Sequence, residues 1–303
     1  MTGTSLAALG IALLAAPALP GIAGRTKAML TGRTGSPVWQ LYRDLAKLMR
    51  KGAVYSTVST WVFRLAPAVL LACVLVASLF VPLDGRTAIV RFDGDLVAFA
   101  YLLALGRFGL VLAALDTGSS FEGMGASRDV TYASFVEPAL FLSFTGLALA
   151  SHSLSLSGFL GEPLAAAWSR AAPSLVMIAG SLFVVLLAET SRVPFDDPAT
   201  HLELTMIHEV AVLDHSGPDL AIILYAGALK LTLLAAVVIG VLIPRAGWSG
   251  AVSIAVLVGG LAMVGVAVGV IESVMARLRL TRVPQVLVAA SALAAFGIIL
   301  LLG

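Results

Sequence analysis

"APSLVMIAGSLFVVLLAETSRVPFDD", residues 172–197, decides how this chain folds. From Ala172 to Ala188 there is no charged residue, and a helix needs about 20 mainly apolar residues to cross the hydrocarbon core of a bilayer. Polarity then arrives abruptly. Residues 188–217, "AETSRVPFDDPATHLELTMIHEVAVLDHSG", hold six acids, three histidines and one arginine. The chemistry therefore begins where a membrane span ends.

The rest of the 303-residue chain agrees with a membrane reading. Hydrophobic residues make up 59% and charged residues 12%, with mean hydropathy +1.02, whereas a soluble domain carries about 25% charged residues. Apolar windows fall at 3–24, 57–81, 95–115, 131–151, 172–190, 218–243, 250–271 and 284–303. These predict an all-α integral membrane protein with eight transmembrane helices in one polytopic domain spanning 1–303. The first window lacks the basic stretch that precedes the core of a signal peptide, and its arginines follow it, so it reads as a helix.

Basic residues set the expected orientation. The loops after the first, third, fifth and seventh windows carry twelve lysines and arginines against four in the others. By the positive-inside rule the acidic stretch faces the cytoplasm and both termini face away from it, in a multi-pass protein of the cell (inner) membrane.

Composition also excludes several chemistries. A single cysteine, Cys73, allows no intrachain disulfide and no four-cysteine iron–sulfur or metal site, so any redox centre belongs to another chain. A net charge of +2 gives no reason to invoke nucleic acid. His208 and Glu209 are followed by Val212 where a zinc-protease helix needs its second histidine, and His201-Leu202-Glu203 lacks the later Pro-Cys-x-x-Cys of a deaminase. "GSSFEGMG", 118–125, reads as a loop with no Gly-Lys-Ser/Thr pair for phosphate.

Two segments outside the windows exceed simple turns. In 25–56, Val38, Leu41, Leu45, Leu48 and Met49 recur at helical spacing after a Gly-Ser-Pro break, predicting an amphipathic cytoplasmic surface helix. It serves either as a headgroup anchor or as a docking surface. In 191–217, Pro194 and Pro198 interrupt any helix, which resumes over about Thr200 to Val212 with polar groups turned toward a wet or ionic interior.

Charges inside the windows are the sharpest signal, since each costs about 2.5–3.5 kcal/mol at mid-helix. Glu137 and Lys230 are the clearest, read either as a proton-carrying, field-coupled pair or as a buried pair that fixes packing. Arg64, Arg107, Glu189 and Glu272 lie nearer window ends, where snorkelling or structural pairing is the usual explanation.

"AETSRVPFD", Ala188 to Asp196, resembles the Ala-Glu-Thr-Asn-Arg-x-Pro-Phe-Asp signature of subunit 1 of respiratory NADH:quinone oxidoreductase and its membrane-bound hydrogenase relatives. The continuation through Gly217 is similar to the formate hydrogenlyase and hydrogenase-4 versions. "QLYRDLAKLMRK" in the first loop and "SRDVTYASFVEPALF" leading into the fourth window extend the likeness over essentially the whole chain.

The resemblance implies a heel-like, non-redox subunit that binds no cofactor itself. It would clamp a membrane arm with antiporter-like subunits to a cytoplasmic arm. There it would meet an iron–sulfur small subunit and a [NiFe] large subunit, or their quinone-reducing counterparts. It carries proton coupling to Glu189, Arg192 and Asp196 of the signature, Glu203 of the following loop and Glu137; Asp197, His208 and Glu209 of the same acidic loop and Lys230 within its window join them as proton-coupling candidates on their own chemistry and position. Arg33, Gln40, Asp44 and Lys47 would lie against the redox arm.

Two departures stand out. His201 replaces an acid of the quinone-linked members, and Gly227 replaces a carboxylate of the sixth window, with Lys230 one turn later. Both favour the hydrogenase-like branch, in which electrons reduce protons without quinone. A quinone-chamber subunit and a purely structural anchor are the alternatives.

Overall fold

The computed structural model describes residues 3–196, 206–245 and 247–302, and these are all-helical. In chain order the helices are α1 (Gly3–Ala15), α2 (Ala18–Leu30), α3 (Gln40–Met49), α4 (Trp61–Ser78), α5 (Asp95–Asp116), α6 (Ser120–Ser151), α7 (Leu156–Phe159), α8 (Glu162–Glu189), α9 (Gly217–Leu242), α10 (Gly250–Val274) and α11 (Val283–Leu302). A 3-10 turn at Val210–Val212 precedes α9. Seven helices are long and apolar enough to cross a membrane, and α1 with α2, bent by 49°, makes an eighth when counted as one span.

α9 is the axis of the bundle. Apart from Asp219 in its first turn and Lys230 mid-way, its sequence is apolar all round, as suits a helix enclosed on every side, and it packs against α2, α3, α4, α8 and α10. α4 and α5 form a hairpin on one flank, and α11 lies on α6 and α8. α10 lies on α2 through Gly265 and Gly269, four residues apart, in the small-xxx-small pattern that lets membrane helices approach closely. A methyl group added at Gly269 would stand 2.5 Å from the Ala23 carbonyl oxygen.

Loops of alternate parity gather at opposite ends. At one end Val54 N–H donates to Ser216 Oγ (3.0 Å), Thr60 Oγ1 to Asp116 (2.9 Å), Tyr132 Oη to the Leu280 carbonyl (3.1 Å), and Leu278 N–H to the Pro194 carbonyl (2.9 Å). At the other, Arg86 donates to the Trp248 carbonyl (2.8 Å), the fully buried Arg245 to the Leu83 carbonyl (3.0 Å), and Ala88 N–H to Ser157 Oγ (2.8 Å).

The helix after the first span stands where its periodicity places it, as α3. Three other expectations change. Residues 120–125 are helical, because α6 begins at Ser120: Glu122 turns inward and accepts the Asp214 N–H at 3.0 Å, so polarity at its start marks an inner face and not a loop. The fifth span starts earlier, at Glu162, and is broken at Ala171 (φ −137°, ψ 38°), two residues before Pro173, whose missing N–H and bulky ring interrupt the helical ladder. In the predicted Thr200–Val212 helix, residues 200–205 lie outside the described residues. From Met206 onward there is only the 3-10 turn, because Ile207 N–H and His208 N–H donate to Asp196 Oδ2 at 3.1 and 3.0 Å.

Candidate functional site

A connected array of charges lies inside the bundle, and it starts at Lys230. This residue lies mid-way along α9, 8% exposed and far from either helix end, where a long side chain would need a buried partner rather than the interface. Its Nζ is 2.6 Å from Oε2 of Glu189, the last residue of α8. The other oxygen of Glu189 accepts from Arg107 Nη2 of α5. Arg107 Nε is in turn 4.0 Å from Asp129 Oδ2 on α6, and Asp129 Oδ1 is 3.7 Å from His208 Nδ1. Four helices and one loop therefore each contribute a group.

Lys230, Arg107, Glu189 and Asp129 balance two cations against two anions, which is what lets ions persist in a low-dielectric interior. A carboxylate held between an ammonium and a guanidinium has the charge-assisted partners it needs. His208 and Asp129 stand too far apart for a direct hydrogen bond.

From His208 the array reaches the signature loop. The Asp196 carboxylate, 3% exposed, takes the two backbone N–H groups at Ile207 and His208 on one oxygen and Arg277 Nη2 on the other at 3.0 Å. Arg192 Nη1 lies 3.3 Å from Glu272 Oε1 of α10, and Lys27 Nζ of α2 lies 4.0 Å from Glu272 Oε2. One cation of the signature thus reaches α10 and one acid reaches the segment after it.

A cavity of about 230 Å³ opens beside this array. Its polar side carries Lys230, Glu189, Arg107, Arg192, Asp196, His208 and Glu209, and its apolar side Leu41 of α3, Leu70 of α4, Leu110 of α5, and Ile223 and Leu224 of α9. A second, narrower cavity of about 30 Å³ lies across the Arg107–Glu189 pair, against Asp129, Tyr132 and Ile207. Among the described residues no three histidine, cysteine or acidic side chains are placed to hold a metal.

The array gathers Glu189, Asp196, His208 and Lys230 from the residues singled out in the sequence, while Arg192 pairs with Glu272 at the edge of the cavity and Glu209 stands on the cavity wall. Lys230 pairs with Glu189 and not with Glu137. Glu137 is half-buried on α6, within Coulombic range of Arg107, and forms no ion pair among the described residues. Asp197 and Glu203 lie outside the described residues. Gln40 and Asp44 bond to each other on α3 (2.9 Å), while Lys47 on the same helix and Arg33 before it are exposed, away from the array.

Sequence reasoning missed Arg107, Asp129 and Arg277 as members, and Glu272 and Lys27 as the partners grouped around Arg192. For Arg107 a signal exists: it is the thirteenth of 22 residues in α5, far from either end, with Gly106 beside it against Leu70 and Cys73 of α4. Arg277 and Lys27 carry no such mark, because nothing local announces a partner some 80 or more residues distant.

Comparison with known proteins agrees with this architecture. The chain is 34% identical to hydrogenase-4 component C of Escherichia coli (strain K12) over 240 residues, 79% of this chain and 75% of that one. It is 31% identical to formate hydrogenlyase subunit 4 of the same organism over 283 residues, 89% of each. A subunit of the NADH-quinone oxidoreductase of Anaplasma phagocytophilum (strain HZ) is 30% identical over 186 residues, 56% of this chain and 54% of that one. A chain in the solved structure of the membrane-bound sulfane sulfur reductase, an archaeal respiratory membrane complex, shares the fold with a TM-score of 0.83 at 20% identity, covering 98% of this chain and 97% of that one. The NADH dehydrogenase family model matches residues 4–303, and the chain belongs to that family.

Proposed function

We propose that this chain is the membrane subunit of a complex-I-like assembly, of the hydrogenase-4 or formate hydrogenlyase kind, that couples a cytoplasmic redox arm to proton movement in the membrane arm. Its relatives by sequence are subunits of such complexes by name. The observation that carries the coupling reading is the array itself: Lys230, Glu189, Arg107 and Asp129 follow one another through charged groups, the His208 imidazole stands 3.7 Å from Asp129, and the main-chain N–H of His208 ties that residue to Asp196 of the signature loop.

A charge change in a redox module seated on the loop would act first on Asp196, His208 and Glu209. The 3.7 Å gap between His208 and Asp129 is one that a small imidazole movement or a bridging water closes. Glu189 then redistributes between Arg107 and Lys230, and α10 senses the same event through Arg192 and Glu272. In this reading Glu137, Asp197 and Glu203 extend the path, and Arg33, Gln40, Asp44 and Lys47 face the redox arm. The signature loop faces the cytoplasm and both termini the opposite side. The chain itself binds no redox centre, those belonging to the iron–sulfur and [NiFe] partners, and antiporter-like subunits receive the coupled charge.

A second reading keeps a quinone. The observation favouring it is the cavity, whose apolar side includes α3 and whose polar side includes Asp196, His208 and Glu209. Glu189→Gln in the assembled complex tests the coupling reading. Hydrogen turnover that continues with proton translocation lost supports it, whereas unimpaired translocation leaves only an anchor. Hydrogen evolution from a low-potential donor without added quinone separates the two branches.

A further inference from the structure

The break between α1 and α2 is closed by side chains from two other helices. Pro17 has no N–H to offer the Leu13 carbonyl, and its ring pushes that carbonyl aside. Ala18 begins a helix bent 49° away, which separates its N–H from the Leu14 carbonyl. Two backbone acceptors are thus stranded at membrane depth, where each must find a donor.

Two tyrosines supply them. Tyr225 Oη of α9 donates to the Leu13 carbonyl at 3.1 Å, and Tyr42 Oη of α3 donates to the Leu14 carbonyl. The Ala18 N–H also acts on the Tyr42 hydroxyl, which therefore stands between the two groups that an unbroken helix would have joined. Burial pushes Tyr42 above the ordinary tyrosine value of 10.0, so it stays a protonated donor. Neighbours of the latch residues line the cavity: Pro20 just beyond the break, Leu41 next to Tyr42, and Leu224 next to Tyr225.

We propose that Tyr42 and Tyr225 form a latch that holds the α1–α2 break against α3 and α9, keeping the seam between α2, α3 and α9 closed beside the cavity. A displacement of α3 draws Tyr42 off the Leu14 carbonyl, frees the Pro17 break to flex, and opens the seam. The reach of α3 is what makes this a device and not only a cap: its outer side carries exposed Arg43 and Lys47, so a load on that face passes to the break through one hydroxyl.

The test uses the whole complex in nanodiscs, with the buried Cys73 replaced by alanine and Ala226→Cys as reporter. Ala226 lines the cavity on α9 and is fully buried, so a thiol there is shielded while the seam is closed. Tyr42→Phe and Tyr225→Phe should each raise the rate of labelling by a membrane-permeant maleimide by about two- to tenfold, the double variant more than either. Spin labels at Leu6→Cys on α1 and Arg43→Cys on α3 should show a broadened distance distribution in the same variants. Unchanged labelling with an unchanged distribution in the double variant overturns the latch. If the double variant fails to assemble, Tyr42→Phe alone decides, since Tyr225 still holds Leu13. Neither readout requires turnover, so a chain whose ion pairs carry no protons would still display the latch, and a coupled chain could lack it.

Discussion

Replacing Lys230 by methionine keeps its length and removes its charge, which isolates one link of the array. At 2.6 Å and an effective dielectric near 20, the gross Coulomb attraction to Glu189 is about 6 kcal/mol. Removing one partner of a buried pair costs about 3–5 kcal/mol. Here the lower end applies, because Arg107 still holds the other Glu189 oxygen. A loss of about 3 kcal/mol lowers the melting temperature of a 303-residue chain by about 5 °C.

The decisive comparison is the double variant. Glu189→Gln alone leaves Lys230 and Arg107 facing only Asp129. Lys230→Met with Glu189→Gln restores balance between Arg107 and Asp129, so it should melt well above the sum of the two single losses. Thermal unfolding of the purified complex, followed by intrinsic fluorescence, reads all four states. If the two losses simply add, Lys230 and Glu189 do not share an interaction and the array is not a connected object.

Asp196→Asn should lose about 3 kcal/mol through its contact to Arg277 and speed amide exchange at Ile207 and His208, measured by hydrogen–deuterium exchange. Gly269→Leu should prevent α10 from seating on α2, seen as loss of assembled complex, whereas Gly227→Ala should be accepted. His215 is 3% exposed, stacked on Phe63 at 4.0 Å, and among the described residues neither of its ring nitrogens has a partner. Burial holds its folded value below the ordinary 6.5 despite nearby Asp214 and Asp219. The unfolded chain therefore takes up the proton first, and the stability His215 contributes is complete above 6.5 and lost as pH falls through 6.5 toward the folded value. His215→Phe should flatten that slope in melting curves between about pH 8 and pH 5.

Helix number and the amphipathic α3 are legible in the sequence because hydrophobic length and period survive in one dimension. Boundaries are less so where polar residues lie on an inward face: Glu122 looks like a loop residue until Asp214 arrives to donate to it. Glu189, Arg192 and Asp196 are readable as a signature, but their partners are not. Glu137 and Lys230 are both charges in apolar windows, and nothing in their spacing tells which other helix will meet them. The intervening geometry gives Lys230 to Glu189. Arg107 reads as a snorkelling residue when its window is taken alone, although its place mid-way along α5 argues otherwise.

The order in which the array's groups occur along the chain also constrains biogenesis. Arg107 leaves the ribosome before either acid that neutralises it, followed by Asp129, Glu189 and finally Lys230. Until α6 and α8 have been inserted, the guanidinium has no carboxylate in lipid, so α5 has reason to linger beside the translocon. Lys230 meets a Glu189 that is already in place. Early truncations of this polypeptide should therefore stall at the insertion machinery, while those ending beyond α9 should be released into the bilayer.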